Sequence, residues 1–202
     1  MERINNWEKV EAKGMDDFKS LPIGAYECVI KEANLHKNEE TGKETFRVAI
    51  DIASGDYKDY YQKRYDSNTN SNKKWDNNAT RYLAFQGDNV AYFKGFITCV
   101  ENSNVGYTWN WDEKTLVGKK ICGVFQYEEY KNQEGKKGVK VRLSKFRSLD
   151  KIKEIEVSYN VKLLNGTYKS IDDYNEEKEL NDTTDPFSDI GDIVEITDDI
   201  LD

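Results

Sequence analysis

Two prolines, one histidine and three cysteines are all that this chain of 202 residues has of those types, and each scarcity excludes something. Pro22 and Pro186 stand far apart, so nothing between them breaks a helix or removes a ladder donor. With His36 alone, a histidine-based triad and a multi-histidine metal site are out of reach. Cys28, Cys99 and Cys122 are odd in number, widely spaced and set among apolar neighbours. That pattern predicts buried reduced thiols rather than a disulfide framework or a metal site. No stretch approaches the roughly 20 apolar residues of a membrane helix, and Met1-Glu2-Arg3-Ile4-Asn5-Asn6 lacks the apolar core of a secretory signal. The expectation is a soluble intracellular protein with no membrane partner. Phosphate-loop, dinucleotide-loop, nucleophile-elbow and Cys-x-x-Cys signatures are all missing, which predicts no enzyme and no cofactor. Asp66-x-Asn68-x-Asn70 opens like a calcium loop, yet Ser71 stands where glycine is required and Asn77 where the closing glutamate belongs, so no metal is expected.

The formal net charge of −8 would argue against a polyanionic partner if it were spread evenly. It is not. Residues 172–202 hold 13 acids against Lys178, a net −12, while the first 171 residues carry +4 and 23 of the 25 aromatic residues. A mildly basic, aromatic-rich body is joined to an acidic tail, and such asymmetry is itself a functional signal.

Along the body, strand formers fill Ala25 to Lys31, and Thr41-Gly42 marks a turn. Phe46, Val48, Ile50 and Ile52 then alternate with polar residues at the period of a half-buried strand. Residues 57–65 read as a third strand with rings on both faces, and residues 66–78, with five asparagines, as a long polar loop. From Asp88 as N-cap, Val90, Phe93, Ile97 and Val100 recur along one helical stripe, which ends at Asn102, Asn104 and Gly106. Gly95 within that helix predicts close packing against the sheet. Residues 107–111 read as a solvated aromatic loop, and residues 121–130 and 138–146 as a second hairpin. The fold class expected is mainly β: a five-stranded OB-like Greek-key barrel, an oligonucleotide-binding architecture, with one helix between strands 3 and 4. Other small barrels and α+β sheets share that element order. The expected division is an N-terminal extension at 1–22, the barrel at 23–149, a transition segment at 150–170 and a disordered acidic tail at 171–202.

Unpaired nucleic acid is held by flat rings on which bases stack and by cations near phosphates. The two interleave in Tyr57-Lys58-x-Tyr60-Tyr61-x-Lys63-Arg64-Tyr65, in Lys73-Lys74-Trp75, in Arg81-Tyr82 and in Val139-Lys140-Val141-Arg142-Leu143-Ser144-Lys145-Phe146-Arg147. Candidate binding residues are therefore Arg47, Tyr57, Tyr60, Tyr61, Lys63, Arg64, Lys73, Lys74, Trp75, Lys140 and Arg142. Alternation in the last segment puts Lys140 and Arg142 on one face of a strand and Val139 and Val141 on the other. Tyrosine and tryptophan are also ordinary core residues, and lysine-rich hairpins often serve only solubility. Two other readings stand beside DNA binding: an adaptor whose aromatic surface meets a protein, and a metal-dependent nuclease built on carboxylates such as Asp51, Asp56, Asp59, Glu128 and Glu129.

The chain ends Thr197-Asp198-Asp199-Ile200-Leu201-Asp202, with Asp185-Pro186-Phe187 before it. This resembles the acidic tail of bacterial single-stranded-DNA-binding proteins, whose tip is acidic residues followed by Ile-Pro-Phe; here Asp198-Asp199-Ile200 matches, and the proline and terminal phenylalanine are missing. Asp198, Asp199, Ile200 and Leu201 form the candidate partner hook. The body is similar to a phage and prophage protein family of replication and recombination modules, often classed as of unknown function. The matching stretches are Asn6-Trp7-Glu8-Lys9-Val10, Leu21-Pro22-x-Gly24-x-Tyr26, Gly55-Asp56-Tyr57-Lys58-Asp59-Tyr60-Tyr61, Phe93-Lys94-Gly95-Phe96-Ile97-Thr98-x-Val100-Glu101-x-Ser103-Asn104 and Trp109-x-Trp111-Asp112-Glu113-Lys114-x-Leu116-x-Gly118-Lys119. The resemblance implies an OB-type binder of single-stranded DNA in the cytoplasm of a bacterial host cell, with replication or recombination proteins as partners of the tail. It carries over no catalytic residue, and a homo-oligomer is compatible with it.

Overall fold

The computed structural model describes residues 20–182 together with Glu8. The long hairpin expected from the alternating segment is present as β1 (Gly24–Lys37) and β2 (Glu44–Ile52). Its turn is closed by the Asn38 side chain, which accepts from the N–H groups of Glu40 and Thr41 at 3.0 and 2.8 Å, and by Gly42 at φ 66°. Phe46, Val48, Ile50 and Ile52 are all buried, but Ala49 and Asp51 between them are buried too, so this end of the strand is covered on both faces rather than half-buried.

Residues 57–65 are not a strand. Tyr60–Ser67 form a helix, α1, because Asp51 on β2 offers its carboxylate to the helix start. Asp51 Oδ1 accepts from Tyr61 N at 2.9 Å and Oδ2 from Gln62 N at 3.1 Å. Tyr57, Tyr61 and Tyr65 recur every four residues, a spacing that serves a helical face as well as a strand face. The third strand is instead β3 (Thr80–Leu83), reached through a 3-10 turn at Asn77–Ala79. The next helix, α2 (Val90–Ser103), falls where the stripe placed it, and buries Phe93, Phe96, Ile97 and Val100. Val90 stays 49% exposed and Phe96 takes its place in the stripe. Asn89, not Asp88, is the N-cap residue, after a 3-10 turn at Gly87–Asn89. Each of these four buried side chains contributes about 1.5–3 kcal/mol. β4 (Lys120–Lys131) and β5 (Lys137–Arg147) make the second hairpin.

β1 pairs antiparallel with β2 through Cys28–Lys37 and with β4 through Gly24–Val29, β2 pairs with β3, and β4 pairs with β5. Glu128 of β4 is opposite Lys140 of β5 and also opposite Lys162 of β6 (Asn160–Lys162), so β6 continues along the edge that β1 has left. β6 then pairs with β7 (Tyr168–Ser170). The product is one seven-stranded sheet, mainly β in class, and it is not closed: among the described residues no ladder joins β3 to β5, the two ends of the path β3-β2-β1-β4-β5. These ends nevertheless touch, β5 lying against β3 and against the 3-10 turn before it. The enclosed core gathers Ile30, Val48, Ile50, Phe125 and Leu143 between the strands, with α2 packed on β4 and β5. Gly123 permits the tightest approach, since a Cβ there would stand 2.8 Å from Ile50 Cδ1.

In the transition segment at 150–170, β6 and β7 extend the sheet. Helix α3 (Ile171–Asp182) occupies the start of the stretch expected to be disordered. Composition misses the reason: Tyr174 is buried, and its hydroxyl donates to Glu129 Oε1 at 3.3 Å. No helix among the described residues is long and apolar enough to cross a membrane.

Candidate nucleic-acid interface

The unpaired seam between β3 and β5 is flanked by two concavities. At one end, a cavity of about 350 Å³ lies between α1 and the β4–β5 hairpin, bordered by Tyr60, Arg64, Asn78, Tyr127, Lys140 and Val141. At the other, a groove of about 520 Å³ lies between β3, α2 and the end of β5, bordered by Arg81, Tyr82, Tyr92, Gly95, Lys145 and Arg147. The segment 76–84 supplies one wall of both and the segment 139–147 the other, running in the same direction.

Several of the candidate rings belong to the core. Tyr61 is 3% exposed and stacked on Phe125 at 6.0 Å, and Trp75 is 7% exposed with its indole N–H donating to Ile50 O at 3.1 Å. Tyr57 is half-buried edge-on against Tyr26 and Tyr60. Arg47 is held by an ion pair with Glu32, and Arg142 by Glu128 at 3.1 Å. Lys63 donates to Lys58 O, Lys73 lies 4.5 Å from the centroid of Tyr65, and Lys74 is exposed. Tyr60, Tyr61, Arg64 and Lys140 do come together, around the α1 cavity. There Arg64 Nε lies 3.4 Å from Asp76 Oδ2, which neutralises part of its charge, and Lys140 lies over Tyr130 at 5.3 Å. The tail residues Asp198, Asp199, Ile200 and Leu201 lie outside the described residues.

The α2 groove has what the first cavity lacks. Tyr82 and Tyr92 are 41% and 76% exposed, no carboxylate lines the groove, and Arg81, Lys145 and Arg147 border it. Among the described residues no carboxylate lies within ion-pairing distance of these three cations. Burial pushes the Arg81 guanidinium below its ordinary pKa and nearby Arg142 adds to this, while Glu128 and Tyr168 oppose it. Tyr82 is braced from behind, its ring 5.2 Å from that of His36. Gly95 does not pack closely on the sheet as expected: no atom outside its own helix lies within 4 Å of where a Cβ would stand, and its face of α2 is open to the groove. Arg81-Tyr82 and Lys145-Phe146-Arg147 carried the interleaving signal in the sequence, whereas Tyr92 was masked by the apolar stripe around it.

The aromatic loop at 107–111 is only partly solvated. Trp109 packs on Phe93, while Trp111 is 81% exposed with its backbone at φ 69° and its ring 4.6 Å from that of Trp109. The cysteines are free: Cys28 and Cys122 are buried and Cys99 half-buried beside the groove. Burial pushes the Cys122 thiol up to about 11 and raises the other two as well. The acids Asp51, Glu128 and Glu129 are engaged by α1, by Arg142 and by Lys137 respectively, and no group of three potential ligands converges among the described residues. In comparisons with known proteins, no family model matches the chain and no curated protein matches it.

Proposed function

We propose that this chain binds single-stranded DNA along the β3–β5 seam, as an OB-like, non-catalytic component of phage replication or recombination. The observation that carries the reading is the α2 groove, where two exposed tyrosines stand beside three cations with no carboxylate partner among the described residues. Unpaired bases stack on Tyr82 and Tyr92, and phosphates lie against Arg81, Lys145 and Arg147. Stacking of this kind is worth about 1–3 kcal/mol per base and tolerates any sequence, since every base has a flat face. The strand order β3-β2-β1-β4-β5, with α2 inserted between β3 and β4, supports an OB-like barrel whose last seam is left open for the ligand. The family resemblance of the body points the same way. In this reading the acidic tail competes with DNA for the cationic groove and presents Ile200 and Leu201 to replication or recombination proteins.

Fluorescence titration with oligo(dT) at two salt concentrations tests it. Tyr92→Ala should lose about 1–3 kcal/mol of affinity without loss of folding. Replacing Lys145 or Arg147 by alanine should flatten the dependence of log K on log salt by about 0.7 for each phosphate that is no longer neutralised. Absence of any oligomer binding removes the proposal and favours the second reading, a protein-interaction adaptor. That reading has its own observation in Trp111, whose exposed ring is held out on left-handed backbone, a conformation that costs of order 1 kcal/mol or more.

A further inference from the structure

Strand register places four side chains in one row across four strands. Lys140 of β5 is opposite Glu128 of β4, Glu128 is opposite Lys162 of β6, and Lys162 is opposite Tyr168 of β7. Residues paired in this way share a face of the sheet, so the row spans three interstrand spacings, about 14 Å. Tyr168 is 59% exposed, and among the described residues neither Lys140 nor Lys162 has a carboxylate within ion-pairing distance. Glu128 is taken by Arg142 at 3.1 Å, so the row keeps an excess of positive charge. Lys140 is seated over Tyr130, 5.3 Å from the ring centroid. The acids of α3 are on the other side of the sheet. Alternation turns Glu129, Val161 and Lys169 to the opposite face, and it is there that Tyr174 donates to Glu129 and Lys169 pairs with Glu177. The row is continuous with the α2 groove, because Arg81, which borders that groove, interacts electrostatically with Glu128, Arg142 and Tyr168.

We infer that the β6–β7 hairpin carries a further stacking position, Tyr168, and that Lys140 and Lys162 hold the phosphates of a single strand running out of the α2 groove across β5, β4 and β6. The chemistry is that of the groove: an open flat ring beside cations whose charge is not spent in ion pairs. Every contact is made by a side chain that solvent already reaches, so nothing buried has to be uncovered for the strand to bind. Two short strands outside the five-stranded barrel thereby lengthen the binding path, while alternation keeps the acidic helix that follows them on the far face. This inference rests on the single-stranded-DNA reading and adds to it the length of strand that the site takes.

The test uses the full chain and a fluorescein-labelled oligo(dT) 15-mer, followed by anisotropy across a salt series. Tyr168→Ala should weaken binding by roughly ten-fold, within the range one stacked base provides, and leave the thermal midpoint unchanged. Tyr168→Phe keeps the flat face and should retain full affinity; Tyr168→Leu keeps apolar bulk without the flat face and should lose as much as the alanine variant, which covers the case in which alanine disturbs the hairpin. Lys162→Ala should flatten the slope of log K against log salt by about 0.7, the value for one phosphate no longer neutralised. Lys169→Ala removes the same unit of charge from the opposite face and should leave that slope as it is. Full affinity in the Tyr168→Ala and Lys162→Ala variants, or equal changes of slope for Lys162→Ala and Lys169→Ala, overturns the extended path and leaves the α2 groove standing. No binding of the oligomer by the unsubstituted protein overturns the DNA reading and this inference together.

Discussion

The carboxylate of Asp51 and the backbone of Tyr61 are joined across ten residues of sequence, Oδ1 accepting from the tyrosine N–H at 2.9 Å inside the protein. The same oxygen accepts from Ile52 N, and Oδ2 from Gln62 N. Burial raises the pKa of Asp51, and these three N–H groups, with Lys31, oppose that rise. A strand residue thus does for α1 what an N-cap does from within the chain.

Asp51→Ala should therefore destabilise the protein by about 3 kcal/mol or more, as three donors lose a charged acceptor at once. Urea denaturation measures it. Asp51→Asn, which keeps Oδ1 as an acceptor, should cost less, and equal losses for the two variants would mean that the cavity left by the side chain, not the hydrogen bonds, sets the cost.

Tyr60 and Tyr61 are neighbours with opposite duties. Tyr61 is buried against Phe125, so Tyr61→Ala should cost about 3–5 kcal/mol of stability. Tyr60 is half-buried at the cavity, its hydroxyl accepting from Leu21 N at 3.3 Å, so Tyr60→Ala should fold and lose affinity for single-stranded DNA by about 1–3 kcal/mol. Thermal melts and titrations on the two variants separate the roles; a Tyr60 variant with full affinity would take the α1 cavity out of the binding track.

What could be read in advance follows physical locality. The alternation of Phe46 to Ile52 and the stripe of Phe93, Ile97 and Val100 are local patterns, and both are where periodicity put them. Residues 57–65 misled because Tyr57, Tyr61 and Tyr65 satisfy two periods, and the arbiter is Asp51, which no local window contains. The acidic composition after Ile171 likewise hid Tyr174, whose partner Glu129 is 45 residues away. For the site, Arg81-Tyr82 and Lys145-Phe146-Arg147 were legible as interleaved rings and cations. That they share a groove with Tyr92 depends on how β3, β5 and α2 meet, and no spacing along the chain records it.

Glu129 clamps the C-terminal unit to the hairpin, accepting from Leu164 N at 3.0 Å, from Tyr174 Oη at 3.3 Å and from Lys137 Nζ at 3.0 Å. Burial pushes its pKa up, but the Leu164 N–H, Lys137 and Tyr174 together hold it below the usual carboxylate range. A carboxyl depressed on folding contributes stability that is fully present above its unfolded pKa, about 4.3, and is lost as pH falls through its folded value. The stability difference between the unsubstituted protein and Glu129→Gln should stay constant above about pH 5 and shrink below about 4.3. Urea midpoints across pH 3–7 check this, and a difference that grew on acidification would contradict the assignment.

Gly95 stands in the middle of α2 with open space over it, on the face that borders Tyr92 and Cys99. A mid-helix glycine costs roughly 0.5–1 kcal/mol relative to alanine, and here no packing constraint forbids the methyl group. Gly95→Ala should accordingly raise stability by about that amount, seen as a higher urea midpoint with an unchanged slope. If a nucleic-acid strand lies in the α2 groove, the same methyl group narrows its path, so the stabilised variant should bind oligo(dT) more weakly. Stability and affinity would then move in opposite directions at a residue over which no other part of the protein packs. A variant that gains stability and keeps full affinity would place the strand away from α2 and leave Tyr82 and β5 to carry the contacts.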